Sequence, residues 1–113
     1  MDTDQFASIV DEAIKSIPDD FRGLLDNVDI FIEPMHESGP NLLGLYVGIP
    51  QTKRRNYGIG GPLPDKIYIY MHPHLMRSRN IKELRESVKD TVMHEVGHHF
   101  GMSEGQIRDA MKK

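Results

Sequence analysis

The sequence contains neither cysteine nor tryptophan. Without cysteine, disulfide bonds, thiolate zinc sites and thiol redox chemistry are excluded. Long apolar runs are also missing, since no segment approaches the roughly 20 apolar residues that a membrane-spanning helix requires. The stretch from Met1 to Gln5 is acidic, whereas a secretory signal begins with basic residues and continues with apolar ones. We therefore expect a cytoplasmic protein that does not contact a membrane.

The composition is that of an ordinary globular protein, with 38% apolar and 27% charged residues in a chain of 113. This length suits one domain, residues 1–113, with one modest core. The formal net charge of −3 argues mildly against nucleic acid as a partner. Composition does not set an oligomeric state.

The most informative stretch is His94-Glu95-Val96-Gly97-His98. Side chains four positions apart on an α-helix lie on one face, so His94 and His98 can bind one metal ion. Neutral imidazole is a good zinc ligand. Glu95 projects about 100° further round the helix, where it can contact an activated water without occupying a coordination position. The pattern indicates a general base beside a Zn²⁺ site.

The residues before this stretch predict a long helix. Asn80 is suited to be the N-cap, Glu83 follows at the third helical position, and no Gly or Pro occurs until Gly97. A series of apolar residues at intervals of four predicts the buried face. Its members are Leu84, Val88, Val92, Val96 and Phe100.

Two glycines predict how this helix packs and ends. Gly97 costs about 1 kcal/mol relative to alanine in a helix interior, which indicates a close packing contact there. Gly101 suits a left-handed residue that ends the helix. A chain that reverses at Gly101 can bring Glu104 back to the two histidines as a third ligand. The alternative is that Glu104 only stabilises the first turn of a final helix, for which Ser103 and Gln106 form a capping box.

The run from His94 to Glu104 resembles the extended zincin motif HExxHxxGxx(H/D). It is similar to a family of small bacterial zinc metallopeptidases with a minimal zincin-like fold, as are the segments 42–50 and 63–70. This resemblance implies that His94 and His98 are metal ligands and that Glu95 is the catalytic base. Glu104 stands where the family more usually has aspartate.

The remaining segments predict an α+β fold. An amphipathic helix begins at Thr3 or Asp4 and ends before Pro18, and a short helical turn follows. Strands are predicted at 28–33, 42–49 and 66–71, and residues 72–79 connect the last strand to the long helix. With the resemblance, these elements predict a small mixed β-sheet with the N-terminal helix and the long active-site helix packed on one side.

Three features admit more than one interpretation. Gly44 and Gly48 within the second strand indicate either close approach of another element, as at an edge that pairs with a peptide, or a bulge. The glycine-rich segment 50–64 suits a flap over the cleft, and its basic run, residues 53–55, is either a solvated surface or an anion site. Tyr57 in the same segment either polarises a carbonyl or only packs.

Four further histidines lie outside the motif's ligand pair. His36 has no partner at metal spacing and is interpreted as a solvated residue. His72 and His74 give only a weak indication of a second metal site. His99 is expected to be a buried, hydrogen-bonded core residue.

These observations predict a zinc-dependent metallopeptidase that acts on a peptide or protein substrate, with His94, His98 and Glu104 as metal ligands and Glu95 as general base. Two alternatives stay open. One is a metal-dependent nuclease, in which the basic run would bind the substrate. The other is a non-catalytic metal-binding or interaction module.

Overall fold

The computed structural model describes residues 1–48 and 63–111. The helices are α1 (Thr3–Lys15), α2 (Asp19–Arg22), α3 (Met71–Arg77), α4 (Ile81–His99) and α5 (Glu104–Met111), with a 3₁₀ turn at Gly23–Leu25. The strands are β1 (Val28–Glu33), β2 (Gly44–Val47) and β3 (Asp65–Tyr70). The predicted α+β class is confirmed.

The three strands form one mixed sheet in the order β1-β3-β2. β1 runs parallel to β3, with Ile30 opposite Ile67. β2 runs antiparallel to β3, with Tyr46 opposite Ile67. This order places β2 at an edge of the sheet, in agreement with one of the two interpretations of its glycines.

One face of the sheet and the helices share a single core. Alternation places Val28, Ile30 and Ile32 of β1 against that core, and Ile67 and Ile69 of β3 are fully buried in it. The opposite face carries polar and aromatic residues, which is the pattern of a sheet covered on one side. α1 contributes Phe6, Ile9, Val10 and Ala13 and packs mainly against α4.

The long helix is capped and buried largely as its sequence predicts. The Asn80 side chain accepts a hydrogen bond from the Glu83 N–H at 2.8 Å. The four aliphatic residues of the predicted stripe are buried. Phe100, the fifth, is half exposed, because the helix ends at His99 and Gly101 turns away with a φ of +78°. The prediction for Phe100 is therefore wrong.

Other predicted boundaries also differ from the structure: β2 covers Gly44–Val47 where 42–49 was predicted, and β3 covers Asp65–Tyr70 where 66–71 was predicted. The N-cap of α1 is Asp2, whose side chain accepts from the Gln5 N–H while the Gln5 side chain accepts from the Asp2 N–H. Segment 72–79 is not only a connection, because it contains most of α3. Pro73 is tolerated there because it lies in the first turn, where a helical N–H has no partner within the helix.

Within the described ranges, none of the helices combines the length with the apolar character that crossing a lipid bilayer requires.

Candidate metal centre

The two histidines of the motif meet one carboxylate from the next helix. Nε2 of His94 lies 3.0 Å from Oε2 of Glu104, and Nε2 of His98 lies 2.7 Å from Oε1 of the same residue. The helical spacing places the two imidazoles on one face of α4, and the turn at Gly101 returns the chain so that the first residue of α5 faces them. Glu104 thus stands where the sequence analysis expects the third ligand.

The protonation of His94 can be deduced from its other ring nitrogen. Nδ1 lies 2.8 Å from the main-chain oxygen of Asp90. A carbonyl oxygen can only accept, so Nδ1 carries a proton. Nε2 lies 3.0 Å from a Glu104 oxygen, a contact that needs either a proton on Nε2 or a cation between the two atoms.

The donor set suits zinc in its chemistry, but it is closed in this conformation. Zinc ligands at about 2.1 Å in tetrahedral geometry stand about 3.4 Å apart, so the two contacts with Glu104 are slightly too short to admit an ion. In the described part of the chain, no group of three or more His, Cys, Asp or Glu residues is arranged to hold a metal ion. A small outward movement of the exposed Glu104 carboxylate would open the space.

The hydrogen bonds also affect the charge of Glu104. The hydrogen bond with His98 is the largest cause that lowers the pKa of this carboxyl. Partial desolvation raises the pKa, and the contact with His94 lowers it further. The carboxylate is therefore the favoured form, and it is this form that ligates a metal.

Glu95 is held apart from the three candidate ligands. Its Oε1 accepts a hydrogen bond from the main-chain N–H of Tyr46 at 3.0 Å. The bond links α4 to the edge strand β2 and fixes the direction of the carboxylate. Because one oxygen is anchored, the other is the oxygen left for a further partner.

Side chains of β2, β3 and α4 brace this link. The Tyr46 hydroxyl donates to Oδ2 of Asp65 at 2.7 Å, and the His99 ring stacks on Tyr46 with centroids 3.9 Å apart. Nε2 of His99 lies 3.7 Å from the same Asp65 oxygen. His99 is thus a partly exposed residue stacked on a tyrosine, and the prediction that it lies in the core is wrong. It follows His98, where α4 emerges from the core.

Two glycines allow the elements to approach one another. A Cβ on Gly44 would lie 2.5 Å from Cγ2 of Thr91 and 3.1 Å from the Tyr68 main-chain oxygen. A Cβ on Gly97 would lie 2.6 Å from Cγ1 of Ile107. Gly44 therefore marks close packing rather than a bulge, and the close contact predicted at Gly97 is confirmed. The first contact seats α4 against β2, and the second seats α5 against α4.

A cavity of about 310 Å³ opens beside Glu95. It lies between the chain that enters β2 and the middle of α4. Its lining consists of Leu42, Leu43, Gly44, Asp90, Thr91, His94 and Glu95. Burial raises the pKa of the Asp90 carboxyl, with Glu86 adding to the effect and His94 opposing it.

The other histidines do not join this cluster. His36 bonds Ser38 through Nδ1, at 2.7 Å. His74 is fully buried and bonds the Ser87 hydroxyl at 2.7 Å, so it is a core residue. Burial is the main cause that lowers the pKa of His74 to about 4. A hydrogen bond with the Leu43 main chain raises the pKa, and the charge of Arg77 lowers it. Neither His72 nor His74 belongs to a three-residue metal group in the described chain.

Residues 50–62 of the predicted flap, which include the basic run at 53–55 and Tyr57, lie outside the described residues.

Comparison with known proteins places the chain in a family. The model of the family "Zincin-like metallopeptidase" matches residues 25–112. The chain belongs to the zincin-like metallopeptidase family. The match runs from the 3₁₀ turn through β1 to α5, so it includes every residue of the candidate centre and leaves out α1. The family resemblance seen in the sequence is confirmed.

One solved structure shares the fold of this chain. A conserved hypothetical protein from Thermo thermophilus superposes with a TM-score of 0.57, over 88% of this chain and 94% of that chain. The two sequences are 24% identical, so the likeness concerns the fold. No curated protein matches the chain.

Sequence reasoning did not find two groups that support this zincin-like site. They are the main-chain oxygen of Asp90, which orients His94, and the main-chain N–H of Tyr46, which anchors Glu95. The first could have been found, because a histidine on a helix can reach the carbonyl four residues earlier. The second is a contact between residues distant in sequence and left no signal in the side-chain pattern.

Proposed function

We propose that the protein is a zinc-dependent peptide hydrolase in which His94, His98 and Glu104 hold the metal and Glu95 is the general base. The observation that carries the proposal is the meeting of both Nε2 atoms at one carboxylate. Two imidazoles and one carboxylate are a ligand set of catalytic zinc sites.

Zinc bound there supplies a lowered pKa for a water molecule and polarises a substrate carbonyl. The residues of the chain position the other groups. Asp90 keeps the proton of His94 on Nδ1, so that Nε2 stays available as a ligand. The N–H of Tyr46 holds one oxygen of Glu95. The other oxygen takes the proton from the water and returns it to the leaving amine nitrogen.

The edge strand β2 supports a peptide as the substrate. Leu43 accepts a main-chain hydrogen bond from Tyr70 of β3, whereas the N–H of Tyr46 faces α4 and Glu95. Main-chain groups alternate in direction along a strand, so those of Gly44 also point away from β3. Since the Tyr46 N–H is already bonded to Glu95, an extended peptide would pair with this edge through Gly44, beside the proposed base.

The test is zinc content and cleavage of a mixed peptide library by the full chain. Glu95→Gln should keep the metal and lose cleavage by about 10² to 10⁴-fold, the range expected for loss of a general base. His94→Ala should lose the metal, and His36→Ala, which changes a histidine outside the cluster, should behave like the wild type.

Loss of zinc from Glu95→Gln as complete as that from His94→Ala would reverse the assignment of base and ligand. Cleavage of RNA by the zinc-loaded wild type, with no cleavage of peptides, would replace the proposal by the nuclease. Zinc binding without either activity would replace it by the non-catalytic module.

A further inference from the structure

The cavity beside Glu95 has the position and size of a subsite for one side chain. Its volume of about 310 Å³ is at the lower end of the range for ligand pockets, roughly 300 to 1,000 Å³. Because His94 and Glu95 form part of its wall, a side chain bound in it belongs to a residue next to the bond that is attacked.

Most of the cavity wall is apolar. The apolar surface comes from Leu42 and Leu43 in the chain that enters β2 and from Thr91 of α4. Gly44, in contact distance of Thr91, keeps this wall free of a further side chain. Such a surface suits the methylene groups of a long side chain.

The cavity lining carries two carboxylates, Asp90 and Glu95, beside the His94 imidazole, and among the described residues neither Lys nor Arg lines it. Glu95 is anchored to Tyr46 for its role as the base. Only the main-chain oxygen of Asp90 is used by His94, and its carboxylate makes no hydrogen bond or ion pair with any described residue. Lys89, its neighbour in sequence, is not part of the lining.

We infer that this cavity binds a lysine or arginine side chain of the peptide substrate, with Asp90 as the residue that selects for its positive charge. The inference rests on the proposed function, since it names the substrate class of the same site. The stem of such a side chain packs on Leu42 and Leu43, and the ammonium or guanidinium group faces the Asp90 carboxylate. A free α-amino group is attached directly to the Cα atom, so no methylene stem carries its charge across the apolar part of the cavity.

The test uses binding, so that it does not depend on hydrolysis. The probes are N-acetyl-lysine N-methylamide, its norleucine analogue, which keeps the stem without the charge, and norleucine N-methylamide with a free α-amino group. Each is titrated into the isotope-labelled full chain, with and without zinc, and the amide signals of Leu43, Gly44 and Thr91 are followed by NMR. The lysine probe should bind about two- to fivefold more tightly than either norleucine probe, the range of an exposed ion pair.

Variants test whether the Asp90 carboxylate is the group that attracts the lysine side chain. Asp90→Asn should remove the preference for the lysine probe, whereas Glu86→Gln, one turn earlier on α4 and outside the cavity lining, should keep it. Equal binding of lysine and acetylated norleucine to the wild type would overturn the inference, as would equal binding of the free-amino norleucine probe. Absence of any shift at these three amides would also overturn it.

The outcomes distinguish failure of the subsite from failure of the proposed function. If Asp90 governs a lysine preference but no peptide is cleaved, the subsite stands and the hydrolase does not. If peptides are cleaved by a Glu95-dependent reaction without a preference for basic residues, the hydrolase stands and the subsite does not.

Discussion

Ile107 of α5 lies directly against Gly97 of α4, so closely that a Cβ on the glycine would stand 2.6 Å from its Cγ1 and 2.7 Å from its Cδ1. Ile107 is fully buried, and Gly97 lies between the motif residues Val96 and His98. Packing in the core therefore sets the position of α5, and with it the distance of Glu104 from the two histidines.

Gly97→Ala should destabilise the protein by about 1 to 3 kcal/mol, because the overpacking against Ile107 exceeds the gain in helix propensity of about 1 kcal/mol. Chemical denaturation measures the free energy of unfolding. In an Ile107→Ala background the same substitution should cost nothing or stabilise the helix. An equal cost in both backgrounds would show that the contact with Ile107 is not what excludes a side chain.

Gly44→Ala should destabilise the protein by about 1 to 3 kcal/mol, because its Cβ would overlap the Thr91 methyl group. Thr91→Ser removes that methyl and should relieve part of the cost. Gly23→Ala is the matched control: Gly23 has a φ of −58° and no atom within 4 Å of its Cβ position, so alanine there should be neutral or stabilise by about 0.4 to 1 kcal/mol. Similar losses at both glycines would contradict the close contact at Gly44.

Glu104→Ala should weaken zinc binding by at least about tenfold. Loss of a residue that only orients a metal ligand already costs about that much affinity, and loss of the ligand itself should cost more. A carboxylate that only stabilises the helix terminus would contribute about 0.3 to 1 kcal/mol of stability and no metal affinity. Glu104→Asp should keep most of the affinity, and Asp109→Ala, an exposed carboxylate on the same helix, should keep all of it. A zinc titration near neutral pH decides. Unchanged affinity in Glu104→Ala would leave a centre of two histidines.

His74 should make stability depend on pH below neutrality. Its pKa is lowered by burial to about 4 in the folded chain, against 6.5 as its ordinary value. Between these two values the unfolded chain binds the proton and the folded chain does not, so stability falls as the pH falls from 6.5 towards 4. The loss amounts to roughly 3 kcal/mol over that window.

Chemical denaturation between pH 7 and 5, a range in which few carboxylates titrate, measures this dependence of stability on pH. His74→Gln should flatten the dependence, and His72→Gln, an exposed histidine two residues earlier, should not. An unchanged slope in His74→Gln would assign the pH dependence to other groups.

Local rules account for the parts of the fold that the sequence predicted well. The caps at Asn80 and Ser103, the turn at Gly101 and the alternation in β1 each depend on residues close together in the chain. Phe100 and His99 were misassigned because the helical period was continued past the point where α4 leaves the core. Periodicity gives a direction around a helix, but it does not show where the neighbouring elements end.

The sequence by itself determined the motif and the class: histidines one turn apart, a glutamate beside the first of them, a left-handed turn at Gly101, and an α+β chain of the zincin-like family. Only the tertiary structure decided that Tyr46 anchors Glu95, that His99 stacks on Tyr46, and that Asp90 lines a cavity with Leu42 and Leu43. The reason is physical. Ligand spacing on one helix follows from its fixed pitch, whereas contacts between β2 and α4 join segments about 50 residues apart and depend on how closely Gly44 lets the two elements pack.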